Sequence, residues 1–200
     1  MDLMIDTVSQ GLRLSLISNS EDFHYLSEDK SCSHSLLKIV DEQLKKSSKT
    51  SSVIKRVFFN RGPGSFTGIK MGYVTAATFG LDAEVEIYSF TTFDLMCAHV
   101  SSHQNNTFVL NAFQGDYFVA NKIDTTWDYK ILRAQDLQSD CKMYFMGATK
   151  YNLDLFEVIE NLDKEILKVV VEKGYFSKEI QPLYLKKSTA EIARDKKVVK

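Results

Sequence analysis

Asp6 and Thr7 close the short apolar stretch LMID and stand just before Ser9-Gln10-Gly11, a turn composition. A carboxylate at a strand end, aimed into a tight turn, can hold a metal-bound nucleotide through water. The other concentration of chemistry is NRGPGSFTGIKMG, Asn60 to Gly72. The chain has nine glycines and two prolines, and four of those glycines and one proline fall between Arg61 and Gly72. Three demands fit that clustering. A glycine turn between a strand and a helix start can cradle an anion with backbone N–H groups. In that reading Asp6, Thr7, Gly62 and Gly64 touch a phosphate. The Walker lysine is absent, however, because Ile69-Lys70-Met71 follow Gly68, and Gly62, Gly64, Gly68 miss the G-x-G-x-x-G spacing. The turn can also present Ser65 as a nucleophile. PGSFTG is not G-x-S-x-G, and no spacing selects a base among His24, His34, His99 and His103. Ser65 and Thr67 read better as helix caps. The third demand is close packing. Gly68, Gly72, Ala76 and Gly80 recur in steps of four and form one bare helix stripe. Glycine inside a helix costs about 1 kcal/mol relative to alanine, and a closely approaching backbone would offset it. That backbone belongs either to a helix of the same chain or to a second protein.

The remaining candidates are weaker. His99 and His103 have the i, i+4 spacing of two metal ligands, but the segment runs into SSHQNN, which should break a helix. It reads as a frayed helix end, and no metal site is assigned. Cys32, Cys97 and Cys141 are odd in number and far apart, as for incidental thiols in a reducing cytoplasm. The lysine-rich tail KKSTAEIARDKKVVK is a solvated terminus, or a segment that brushes a nucleic acid brought by a partner. The net charge of −1 makes the chain a poor candidate for gripping nucleic acid by itself. No apolar run has the length of a membrane span, and MDLMIDTVSQG lacks the pattern of a signal peptide, so a cytoplasmic location is expected.

These residues need a scaffold. LMID, LRLSLIS, DFHYLS, VIKRVFFN and VEIYSF read as strands, and Leu12, Leu14 and Leu16 alternate with Arg13 and Ser15 as in a half-buried strand. Helical spacing covers His34 to Lys46, Ser65 to Gly80 and Thr92 to Val100. The polar loop SSHQNNT marks a boundary between residues 1–104 and residues 105–200. The second half then starts over. TFVLNAFQGDYFVANKI repeats the strand, Gln-Gly turn and alternating strand of DLMIDTVSQGLRLSLIS, with Gln114-Gly115 matching Gln10-Gly11. WDYKILR and KMYFMG supply further strands, and helices are expected near Ala134 to Gln138, Leu153 to Glu160 and Asn161 to Tyr175. Both halves thus have a β-β-β-α-β-α order, the mark of a duplicated α/β unit. In the second half Asn111-Ala112 stand where Asp6-Thr7 stand in the first. A two-lobed nucleotide clamp wants an acid on both lobes, so this departure argues against a phosphotransferase.

GPGSFTGIKMG resembles the signature of the TsaB (YeaZ) family, the small non-catalytic subunits of the bacterial machinery that makes N6-threonylcarbamoyladenosine on tRNA. LMIDTVSQGLRLSL is similar to that family's start. SHSLLKIVDEQL resembles its first helix at His34, Leu36 and Leu37, and IQPLYLKK its closing Pro-x-Tyr-Leu-basic motif at Pro182, Tyr184, Leu185 and Lys186. The resemblance implies an actin-like (ASKHA, ribonuclease-H-like) α/β fold of two lobes: an N-terminal lobe, 1–104, carrying the pairing helices, and a smaller, divergent C-terminal lobe, 105–200. It implies no catalytic residue, no metal and no cofactor. It further implies pairing with a TsaD-like catalytic subunit, a TsaE-like ATPase in the same assembly, a homodimer when alone, and contact with tRNA only indirectly, for transfer to adenosine 37. The expected pairing residues are His34, Leu37, Val40 and Leu44 on one helix and Ser65, Gly68, Ile69, Gly72, Tyr73 and Ala76 on the other. Departures stand at Lys38, where the family usually has proline, and at Asn111-Ala112-Phe113, where it commonly has Asp-Ala-Arg. The alternative is an independent actin-like nucleotide-binding ATPase or kinase, which needs Asp6 and the Gly62–Gly68 turn to hold phosphate.

Overall fold

A computed structural model of the chain describes residues 1–9, 11–29, 35–100, 106–112, 114–123, 126–138, 141–147 and 156–186. The expectations resting on Gln10, Cys32, His34, His103, Phe113 and the tail beyond Lys186 lie outside the described residues.

The first sheet is built from β1 (Asp2–Asp6), β2 (Leu12–Ile17), β3 (Asp22–Ser27), β4 (Arg56–Asn60) and β5 (Glu86–Phe90), in the order β3-β2-β1-β4-β5. Helices α1 (Leu36–Lys46) and α2 (Phe66–Phe79) connect β3 to β4 and β4 to β5. α3 (Thr92–His99) leads out of this half. The second sheet contains β6 (Thr107–Asn111), β7 (Asp116–Ile123), β8 (Thr126–Arg133), β9 (Met143–Met146) and β10 (Phe156–Ile159), in the order β8-β7-β6-β9-β10. α4 (Ile166–Glu172) follows.

The two sheets have the same strand order and the same pairing senses. β1–β2 and β6–β7 are antiparallel hairpins, while β1–β4 and β6–β9 are parallel. The duplication expected from the Gln-Gly turns is therefore visible in the topology. It also explains a correction. Phe156–Ile159, expected within a helix, form β10, the counterpart of β5, because a parallel ladder from Phe156↔Met143 to Ile159↔Met146 satisfies their backbone. The polar helix expected at Ala134 to Gln138 is a single 3-10 turn, Ala134–Asp136. The helix expected from Asn161 begins only at Ile166, although Leu162 already enters the same core, because Asp163 accepts the Glu165 N–H in a turn ahead of it.

Each sheet divides its side chains between two cores. Leu3 and Ile5 of β1 face α1 and α2 with Leu12, Leu14 and Leu16, whereas Met4 faces the other way with Phe58 and Phe90. That second core holds most of α3 and α4 and continues into Phe108, Leu110, Phe118 and Tyr144 of the second sheet. α3 and α4 are thus sandwiched between the sheets. β2 differs from its expectation for this reason. Its alternation suggests one wet face, yet Arg13 and Ser15 are buried as fully as the leucines, because α4 packs on β1 and β2.

Candidate functional site

Asp6 ends β1 with its carboxylate turned inward and 1% exposed. Oδ1 accepts the backbone N–H groups of Val8 (2.9 Å) and Ser9 (3.1 Å), and the Nδ2 group of Asn60 at 2.9 Å. Oδ2 accepts the Ser9 hydroxyl and lies 3.7 Å from the buried Arg13 guanidinium. Asn60 ends β4 and uses its own Oδ1 to accept the Gly62 N–H at 2.9 Å. Two parallel strand ends are therefore joined by polar side chains, and the carboxylate is saturated by the chain's own donors. It has the location expected of a nucleotide-site acid. Its lone pairs, however, are spent on shaping the turn.

The glycine-rich turn leans on that same strand end. Gly62 adopts φ +113° and precedes a cis Pro63. A methyl group added at Gly62 would come within 2.8 Å of Leu183 O, and one at Gly64 within 2.7 Å of the Val8 side chain. The Ser65 N–H donates to Val8 O at 3.3 Å. Ser65 caps α2, its hydroxyl accepting the Gly68 N–H at 3.1 Å, as its position suggests. Of the described histidines, His24 bonds Ser15 and His99 is exposed at the end of α3, so neither serves Ser65 as a base.

The bare stripe of α2 has a definite neighbour. A Cβ on Gly68 would stand 1.9 Å from Thr7 O, and one on Gly72 would stand 3.0 Å from Thr7 Oγ1. Thr7 completes the contact by donating its hydroxyl to Gly68 O at 2.7 Å. The backbone that approaches is the end of the chain's own β1, where the spacing suggested a helix of the same chain or a second protein. The same packing takes Ile69 and Ala76 to 2% and 1% exposure, and Val40 and Leu44 of α1 join the core beneath. Among the expected pairing positions, Leu37 is half exposed and Ser65 and Tyr73 are intermediate. The outer surface of α2 carries Val74, 60% exposed, and Leu81 just past its end is 86% exposed. The spacing singled out the buried face. The signal for the outer one was also present, as apolar Val74, Ala77 and Leu81 between the stripe positions.

The closing motif has a structural task not evident from its residue types. After α4 the chain returns along β5, where Ser89 and Ser177 exchange backbone hydrogen bonds of 2.9 and 2.8 Å. Arg61 donates to Gln181 O at 3.2 Å and to Glu179 at 3.0 Å, and its carbonyl accepts the Leu183 N–H at 2.8 Å. Tyr184 then packs on Phe66 at the start of α2, ring centroids 4.8 Å apart. Lys186 crosses to the second sheet, donating to Asp116 at 2.8 Å and to Ala112 O at 3.3 Å. The strap of residues 177–186 therefore packs on Arg61, Gly62 and the start of α2. The lysine holds the Asp116 carboxyl below its ordinary range. Burial pushes the Tyr129 hydroxyl, beneath the strap, up to about 12.

Comparison with known proteins agrees with this architecture. The family model described as TsaD, tRNA N6-adenosine threonylcarbamoyltransferase, matches residues 28–115. No curated protein matches the chain. Two solved structures from Pseudomonas aeruginosa are similar to it, one described as YeaZ and one as an uncharacterised protein with similarity to peptidase YeaZ. Each superposes with a TM-score of 0.70 at 12% identity, covering 92% of this chain and 99% of its own. The resemblance to TsaB (YeaZ) proteins is thus borne out at the level of the fold, and the two-sheet architecture is the expected actin-like α/β fold.

Proposed function

We propose that this protein is a TsaB-type accessory subunit. It pairs with a TsaD-like catalytic subunit and holds it active for threonylcarbamoyl transfer to adenosine 37 of tRNA. One observation carries this reading: the TsaD-type family match spans residues 28–115, the stretch containing α1 and α2, on a chain with the YeaZ fold. The saturation of Asp6 supports an accessory role over that of an independent actin-like kinase, since a carboxylate already accepting from Val8, Ser9 and Asn60 has little left for a hydrated metal.

The pairing surface in this proposal is the outer side of α1 and α2, with Leu37, Val74 and Leu81 as apolar anchors. Buried Val40, Leu44, Gly68, Ile69, Gly72 and Ala76 set the height of that surface from below. A TsaE-like ATPase joins the assembly, the free subunit pairs with itself through the same surface, and the complex works in the cytoplasm. Val74→Glu combined with Leu81→Glu should abolish co-purification with the TsaD-like subunit of the same organism and leave the melting temperature within about 3 °C of the parent, as surface substitutions do. Retained pairing would refute this surface.

A further inference from the structure

We propose that the cleft between the two sheets binds a small molecule bearing a phosphate group, through the ammonium groups of Lys122 and Lys173. The cleft has a volume of about 990 Å³, and its walls come from the end of β5, the start of α3, the outer end of the β7–β8 hairpin and the segment after α4. It lies apart from the Asp6 turn and does not depend on the pairing proposed above.

The two lysines come from different halves of the fold and converge on one turn of α3. The Lys122 Nζ group lies 3.9 Å from Cys97 Sγ, and Lys173 Nζ donates to Ala98 O at 3.2 Å. Lys122 is further held between aromatic rings, 3.9 Å from the centre of Tyr175 and 5.4 Å from that of Trp127. Each ammonium has three donors, and these contacts leave N–H groups for the cleft. Among the described residues neither lysine forms an ion pair with a carboxylate. The acids in the same walls are engaged elsewhere: Glu179 with Arg61, and Asp94 with Thr91 and the Trp127 indole N–H. Two like charges brought to adjacent residues repel, and an anion between them reverses the sign of that interaction.

The donor set selects among anions. The one guanidinium in the wall, Arg61, has its fork committed to Glu179 and Gln181 O, so planar bidentate recognition of a carboxylate is not offered. A pair of lysines offers two point charges, which match a phosphate dianion. The shared chemistry is the phosphate group, borne either by the free ion or by an ester.

Trp127 is the chain's single tryptophan and lines the cleft, so its fluorescence reports on this site alone. Inorganic phosphate and phenyl phosphate are titrated separately into the full chain, with benzoate as a monoanion. Saturable fluorescence changes are expected with both phosphates, and tighter binding of phenyl phosphate identifies an ester as the better ligand. Lys122→Met and Lys173→Met should each weaken binding at least about tenfold, while Lys70→Met on α2 leaves it unchanged. Absence of a saturable change up to about 10 mM phosphate, the range of a weak ion site, would overturn the proposal. So would equal affinity for benzoate, or unaltered binding in the exposed-site variant Lys173→Met.

Discussion

At the residue scale, Asp6 is a buried carboxylate whose oxygens are occupied by the chain's own donors and thereby removed from chemistry. Its position before a tight turn was legible in the sequence. Its partners were not, since Asn60 lies 54 residues away and only the parallel pairing of β1 with β4 brings it close. Asp6→Asn should cost about 3 kcal/mol in urea unfolding, because it removes the buried charged acceptor shared by the Val8, Ser9 and Asn60 donors. Gly68→Ala should cost a comparable amount, about 3 kcal/mol, since the added methyl has no space beside Thr7 O and the helix must move away. A neutral outcome for Gly68→Ala would contradict the close contact between α2 and the end of β1.

At the element scale, regular periodicity was readable and context was not. α1, α2 and α3 fall where the helical spacing places them; α1 and α2 each bury one face, and α3 is buried nearly all round. β10 was misread because its FEVI core is short and apolar, and such a run has no period of its own. The tightly packed side of α2 was legible as a stripe of small residues, but a stripe records only that something comes close. That the approaching group is the chain's own strand end follows from tertiary structure. The strap of residues 177–186 was legible as a motif and silent as a structure, since its contacts with Arg61, Phe66 and Asp116 are all long-range. Its anchor carries a pH dependence. The Asp116 carboxyl is held below its ordinary value by Lys186, so the contact adds stability above about pH 4, the ordinary range of a free Asp. That contribution is lost as pH falls through the lower folded value. Amide exchange should find Leu183 protected at pH 7 and less protected at pH 3, relative to intrinsic rates. In Asp116→Asn the protection should be reduced at pH 7 and should no longer follow this carboxyl. Equal protection in both proteins would mean that the lysine–aspartate contact does not hold the strap.

At the scale of the whole molecule, the duplication organises the account. Two sheets of identical strand order enclose α3 and α4, and the chain's last described segment ties one half to the other through Lys186 and Asp116. The repeat was legible in two Gln-Gly turns. The way the halves meet was not, because the inward faces of α3 and α4 are apolar on nearly every side and mark burial without naming the neighbour. With its inner face committed to the first sheet, α2 has only its outer surface to offer a partner. Co-expression with the TsaD-like subunit of the same organism, followed by affinity capture and sizing, tests this most directly. The wild-type chain should elute as a stable complex with that subunit, and the Val74→Glu, Leu81→Glu chain should elute alone while remaining folded. A wild-type chain that remains alone would contradict the account.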